Sequence, residues 1–191
     1  MQWKTTIIMY DYKKFWVREG REVNPEMNEK HRDQEKILKS ILDTITFDSV
    51  LEFGAGWGRM TKLIKEHNPR FYTAVDLSRE RLDQIKGVNT VVGDILEDNH
   101  LMKADLVIAS ELLLHIPSDK IKQAIDNMKS LANKYVISID YYDNGSEDAE
   151  WVALRDEKLA EWCFSHNYPK LYGDAEEFRI NKWHSLFLWK K

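Results

Sequence analysis

Between residues 49 and 140 the apolar residues of this chain follow two alternating rhythms. Short runs of consecutive apolar residues are separated by longer stretches in which they recur every three or four positions. The runs at 50–53, 71–75, 90–92, 105–109 and 135–139 read as strands buried on both faces. The stretches at 59–66, 78–86 and 118–131 read as amphipathic helices. In the last of them Ile121, Ala124, Ile125, Met128 and Leu131 form one stripe. Alternation of this kind predicts a doubly wound α/β fold, a mostly parallel sheet with helices on both faces.

The flanks depart from that rhythm. Asn24-Pro25-Glu26 has the composition of a helix start: a capping side chain, a proline for the first turn and an acid behind it. Ile37, Leu38, Ile41 and Leu42 supply the buried face of that helix. Before it, residues 1–23 are rich in aromatics and show no clean period. Near the other end, residues 146–163 read as a helix with an acidic first turn, followed by strand-like pieces around 168–172 and 185–189. Too few residues separate these pieces for a helical crossover, so they are expected to pair as an antiparallel hairpin that completes a seven-stranded sheet. With no linker or repeat, the chain reads as one domain over 1–191: an N-terminal segment and helix over 1–45, then the α/β core over 46–191.

Composition narrows the partners. The chain has 191 residues, 43% hydrophobic and 31% charged, which suits a folded domain. Its net charge of -4 comes from 28 basic and 32 acidic residues mixed along the sequence, a balance that argues against nucleic-acid and membrane partners. Cys163 is the only cysteine, so neither an intrachain disulfide nor a cysteine metal cluster is expected; between Trp162 and Phe164 it reads as a small packing residue. The short apolar run Ile7, Ile8, Met9, Tyr10 is neither a signal peptide nor a membrane span, which suggests a cytoplasmic protein.

The chemistry concentrates at the strand ends. Val50-Leu51-Glu52-Phe53-Gly54-Ala55-Gly56-Trp57-Gly58-Arg59 reads as strand, acid, glycine turn and helix start, a cradle for a nucleotide-like ligand. The dinucleotide fingerprint places its last glycine where this chain has Arg59, so the spacing points to a smaller adenosine ligand. About twenty residues on, Asp76 closes the second strand at the position where an acid grips ribose hydroxyls. Gly93-Asp94-Ile95 follows the third strand, and Ser110-Glu111-Leu112-Leu113-Leu114-His115-Ile116 follows the fourth.

These four motifs, in this order, resemble those of the class I S-adenosylmethionine-dependent methyltransferases of small-molecule type, whose core is Rossmann-like. The resemblance implies S-adenosyl-L-methionine as cofactor. It assigns Glu52, Gly54, Ala55, Gly56 and Gly58 to the methionine part, Asp76 and Leu77 to the ribose, and Asp94 and Ile95 to the adenine. Ser110 opens the segment facing methionine and acceptor. Read alone, Asp76 equally suits a cap for the helix near Ser78, Asp94 a turn closure, and Glu52 an organiser of the glycine turn.

The implied reaction transfers a methyl group to oxygen or nitrogen of a small-molecule acceptor. His115 is the first candidate for a general base and Glu111 the second, with Asp140, Tyr141, Tyr142 and His166 on the same rim. Asp143-Asn144 resembles the metal-dependent catechol-type members only loosely, and no metal is expected. The Asn/Asp-Pro-Pro-aromatic segment of enzymes acting on exocyclic amines of bases is not present after the fourth strand. Tyr10, Tyr12, Trp16, Arg18 and Tyr141 are candidates to line the acceptor or a lid over it. Two alternatives stand beside this reading: a catalytically silent protein or subunit that binds the cofactor, and an NAD-dependent oxidoreductase.

Overall fold

The computed structural model describes residues 12–14, 16–17, 29–97, 100–142 and 163–191. Its centre is a seven-stranded sheet of order β3-β2-β1-β4-β5-β7-β6. Strands β1 (Ser49–Phe53), β2 (Phe71–Asp76), β3 (Asn89–Val92), β4 (Ala104–Ser110) and β5 (Ala132–Tyr141) are parallel. Strand β7 (His184–Lys190) runs antiparallel to β5, and β6 (Glu176–Arg179) antiparallel to β7. The order reverses between β1 and β4, so the loops leaving these two strands diverge and open a crevice at their carboxyl ends.

Each face of the sheet buries its own apolar cluster. On one face α2 (Glu29–Leu42) contributes Leu38, Ile41 and Leu42, and α3 (Arg59–Lys65) contributes Met60 and Ile64, packed on Val50, Leu106 and Ile137. On the other, Ile121, Ala124, Ile125 and Met128 of α5 (Ile121–Leu131) pack on Leu51, Phe53, Val107 and Val136. The alternation of neighbouring strand residues between faces explains why every central strand reads as a continuous apolar run. The stripe on α5 does what its spacing predicts.

Two elements are shorter than their patterns suggest. Helix α4 spans only Arg79–Leu82, started by Ser78, whose hydroxyl accepts the Arg81 amide. Helix α5 begins at Ile121 after a turn in which the Lys120 amide bonds the Pro117 carbonyl. A third differs in kind: residues 168–172 form a helix, α6 (Tyr168–Tyr172), and not a strand. The Asn167 side chain accepts the Lys170 amide, Pro169 fits the first turn, and Gly173 ends it at φ 80°. Tyr168 and Tyr172, one turn apart, are both buried against the α5 side of the core. The hairpin partner of β7 is Glu176–Arg179 instead, so the antiparallel finish stands while its first strand lies further along the chain. The helix start at Asn24 and the helix expected over 146–163 lie outside the described residues apart from Cys163, which is buried and free of any disulfide.

Glu52 ties this scaffold together below the crevice. It is buried on β1, and one carboxylate oxygen accepts both the Thr61 hydroxyl of α3 and the Tyr72 hydroxyl of β2, the latter at 2.7 Å. Burial pushes its carboxyl up from 4.5 to about 7, against the pull of those two hydroxyls and of Arg59. A carboxyl raised in the folded state contributes stability that is full below its unfolded value and lost as pH rises through the folded one. Stability of the wild-type chain should therefore fall between pH 4.5 and somewhat above 7 relative to Glu52→Gln. Urea midpoints of both proteins across that range measure it; parallel profiles would contradict the assignment.

Candidate functional site

A cavity lies at the carboxyl ends of β1 to β4, where the strand order reverses. Its floor is the glycine turn after β1. Gly54 sits at φ 68°, and a Cβ there would come within 3.1 Å of the Leu112 side chain from the loop after β4. Gly56, at φ 53°, lines the cavity; among the described residues a Cβ there would approach only the Gly54 carbonyl, at 4.0 Å. The first glycine thus lets two loops close, and the second leaves its Cα side open toward the cavity.

Asp76 joins the turn to the next loop. Its Oδ2 accepts the Gly56 amide and its Oδ1 the Ser78 amide, each at 2.8 Å. Each oxygen retains a further lone pair, and Asp76 and Leu77 both line the cavity. Asp94 and Ile95 line its far side, after β3. Asp94 Oδ1 accepts the Leu96 amide at 2.9 Å, and Oδ2 pairs with Lys13 Nζ at 3.0 Å. Lys13 belongs to α1 (Tyr12–Lys14) and also bonds Glu97. Trp16, from the same segment, places its ring 4.5 Å from His115 and 5.2 Å beneath the Arg81 guanidinium, which also lies 6.0 Å from Trp57. The N-terminal segment therefore borders the cavity at Asp94 and at the loop after β4.

The remaining wall is charged. Glu111, at φ 52°, lines the cavity beside Leu112, His115 and Ile116. Its Oε1 accepts Gln34 Nε2 at 3.2 Å and lies 3.5 Å from His184 Nε2. Its Oε2 lies 3.5 Å from His31 Nε2 and 3.8 Å from Arg59 Nη2. Arg59 Nη2 also donates to Gln34 Oε1 at 2.9 Å and to Ser110 Oγ at 3.3 Å. Its Nη1 is 3.9 Å from Glu35 and, among the described residues, has no hydrogen-bond partner although buried. Burial lowers the Arg59 guanidinium from its usual value, opposed by Glu111, Glu35 and Glu52. His115 Nδ1 meets Cys163 Sγ at 3.8 Å.

Of the residues singled out in the sequence, Gly54, Gly56, Asp76, Leu77, Asp94, Ile95, Glu111, His115 and Trp16 line one cavity. Glu52, Ala55, Gly58 and Ser110 support it from behind: Ala55 bonds the Val75 carbonyl at 3.0 Å, and Gly58 precedes α3. Tyr141 is buried, stacked on Trp183 at 5.8 Å and edge-on to His184. Tyr10 and Arg18 lie outside the described residues, as does the Tyr12 side chain. His166 is structural: burial pulls its ring down to about 4, and Nε2 meets the Leu113 carbonyl at 3.1 Å. Asp140 accepts the Leu114 amide at 3.2 Å. The sequence reading misses Lys13, His31, Gln34, Arg59, Arg81 and His184. A signal for two of them exists: extending the α2 stripe back from Leu38 by four and seven positions reaches Gln34 and His31, polar residues on a buried face.

The two glycines give separable expectations. Gly54→Ala meets both a left-handed backbone and a tight Leu112 contact, so it should destabilise the chain by about 1–3 kcal/mol. Gly56→Ala shares the backbone strain without the clash, and its added methyl points into open cavity space. Chemical denaturation of the two variants should show the larger loss for Gly54→Ala; equal losses would mean that Leu112 yields freely.

Comparison with known proteins agrees with this geometry. No curated protein sequence matches the chain. Among solved structures, magnesium protoporphyrin IX methyltransferase from Synechocystis PCC 6803, with bound S-adenosylhomocysteine, superposes with a TM-score of 0.65 at 13% identity, over 94% of this chain and 97% of that one. The N-methyltransferase NodS from Bradyrhizobium japonicum WM9 gives 0.66 at 15% identity, over 85% and 97%. An O-methyltransferase family protein from Burkholderia thailandensis gives 0.66 at 12%, over 85% of this chain and 57% of its own. Identities this low show a shared fold and no more. Residues 50–134 match the family model described as a methyltransferase domain. This stretch, somewhat under half of the chain, holds the glycine turn, Asp76, Asp94 and the loop after β4, and is similar to a methyltransferase domain, while the chain shares its fold with the class I methyltransferases among these structures.

Proposed function

We propose that the cavity binds S-adenosyl-L-methionine and that the protein transfers its methyl group to oxygen or nitrogen of a small-molecule acceptor. The observation that carries this reading is the spacing of opposite charges around one cleft. The cofactor has a ribose diol, an adenine amine and a zwitterionic amino-acid end. Asp76, with one amide on each oxygen and lone pairs to spare, suits the diol. Asp94 suits the amine, sharing its carboxylate with Lys13, and Ile95 beside it suits the ring. The orphaned Arg59 Nη1 suits the carboxylate of the amino-acid end, and Glu111, beside it, the ammonium.

When bound, the cofactor supplies an activated methyl group on a sulfonium, so the chain's own work is alignment and exclusion of water. Leu77 and Ile95 supply apolar contact, and Trp16 closes over the cavity from the N-terminal side. Glu111, ringed by nitrogen donors, is a poor proton acceptor; His115 is the better base for an acceptor that carries a proton. Its Nδ1 faces the Cys163 thiol, and its ring lines the cavity. The structural neighbours include both an N-methyltransferase and an O-methyltransferase family protein. Among the described residues no helix is long and apolar enough to cross a membrane.

Calorimetric titration with S-adenosylhomocysteine tests the site. Asp76→Ala and Arg59→Ala should each weaken binding by about 1–3 kcal/mol, the range for hydrogen bonds to charged groups. Unchanged affinity in a folded Asp76→Ala variant would remove Asp76 from the site. His115→Ala should keep the affinity and lose methyl transfer across an acceptor panel; full transfer would leave His115 a packing residue. Binding without transfer by the wild-type chain, alone or with cell extract, would favour a silent binding protein.

A further inference from the structure

Glu111 is held by nitrogen atoms from three elements distant in sequence: His31 and Gln34 on α2, Arg59 on α3 and His184 on β7. Its backbone is left-handed at φ 52°, a conformation that a residue with a side chain keeps only where its surroundings impose it. Glu111 is the member of this group that lines the cavity; His31 and His184 lie behind it, both buried. The arrangement is a support for one carboxylate.

The hydrogen bonds of the β6–β7 turn fix where the protons of His184 lie. Asn181 Oδ1 accepts the backbone amides of Trp183 at 2.9 Å and His184 at 3.0 Å, so this atom is the amide oxygen and not its nitrogen. His184 Nδ1 lies 3.2 Å from the same oxygen. Two acceptors would repel, so Nδ1 carries a proton. The other ring nitrogen, Nε2, lies 3.5 Å from Glu111 Oε1. A bare Nε2 would set its lone pair against a carboxylate oxygen, so this contact favours a proton on Nε2 as well. Arg59, Gln34 and His31 surround the carboxylate with donors and favour its anion, while Glu35, a further acid beside the cluster, faces Arg59. Tyr141 presents its ring to His184, 5.9 Å away and edge-on.

We propose that His184 is a positioning residue: as an imidazolium braced by Asn181, it keeps Glu111 ionised and aimed into the cavity. The β6–β7 hairpin thereby sets affinity for the ammonium end of the bound ligand. This rests on the cofactor reading given above for its ligand, but not for its proton. This side chain, on a strand three places from β1 in the sheet, acts on the ligand only through Glu111.

Two measurements on the full chain test it. The first is a long-range 1H–15N correlation spectrum of the imidazoles near neutral pH. Wild-type His184 should show both nitrogens protonated, and in Glu111→Gln the Nε2 proton should be lost while Nδ1 keeps its own. A bare Nε2 in the wild-type spectrum would overturn the proposal. The second is titration with S-adenosylhomocysteine of Glu111→Gln, His184→Gln and the double variant. Each single change should weaken binding by a similar factor, about tenfold, and the double variant should lose no more than either. Independent, multiplying losses would overturn the positioning role. Asp76→Ala combined with His184→Gln should multiply, since the two act on different ends of the ligand. If the wild-type chain binds no S-adenosylhomocysteine, the cofactor reading fails and the affinity claim with it, while the spectrum still decides the proton. The spectrum needs no His184 variant, so a folding defect in His184→Gln leaves that arm intact.

Discussion

The Asp76 carboxylate is the interaction on which the site depends. It is almost fully buried at the end of β2 and holds the amides of Gly56 and Ser78, one on each oxygen. Without it the glycine turn and the loop entering α4 would each carry an unsatisfied amide facing the crevice, a cost comparable to the bond itself. With it, the loops after β1 and β2 are fixed against each other at the carboxyl end of the parallel sheet. Asp76 thus serves as the turn organiser that a lone aspartate suggests and remains able to accept from a ligand hydroxyl. The two roles draw on different lone pairs of the same oxygens.

Behind the cavity the structure solves an electrostatic problem twice, in opposite ways. Glu52 and Glu111 are both acids near the strand ends, some distance apart along one framework. Glu52 accepts two hydroxyls, and burial raises its carboxyl to about 7. Glu111 is met by an amide, two imidazoles and a guanidinium, a setting that favours the charged form. Arg59 links the two, lying against Glu111 and lowering Glu52 from a distance. One acid therefore holds β1, β2 and α3 together, and the other presents charge to the cavity.

Most of the fold is legible in the sequence because a parallel sheet buries both faces of its strands, which leaves unbroken apolar runs between helical stripes. The four motifs at the strand ends are legible for the same reason, since the ends of those runs locate them. The departures have local causes. Residues 168–172 carry two tyrosines that suit a strand, yet Asn167, Pro169 and Gly173 bracket one helical turn, and Tyr168 and Tyr172 meet the core one turn apart. Much of what surrounds Glu111 is illegible because it depends on tertiary proximity. His31 and His184 are separated by most of the chain and meet only because β7 lies two places from β4 in the sheet order, next to β5. Arg59 could be noticed only as a departure from a glycine pattern, whereas its partners Gln34, Ser110 and Glu111 tie it to α2 and to the loop after β4.

The central claim is that the crevice between the β1 and β4 loops is the site for S-adenosylmethionine. The most direct measurement is the amide 1H–15N spectrum of the full chain during addition of S-adenosylhomocysteine. The structure predicts saturable shifts confined to the lining of the cavity: Gly54, Gly56, Leu77, Ile95 and Glu111. Shifts elsewhere with these five unmoved, or no shifts with S-adenosylhomocysteine but shifts at the glycine turn with a nicotinamide dinucleotide, would contradict it.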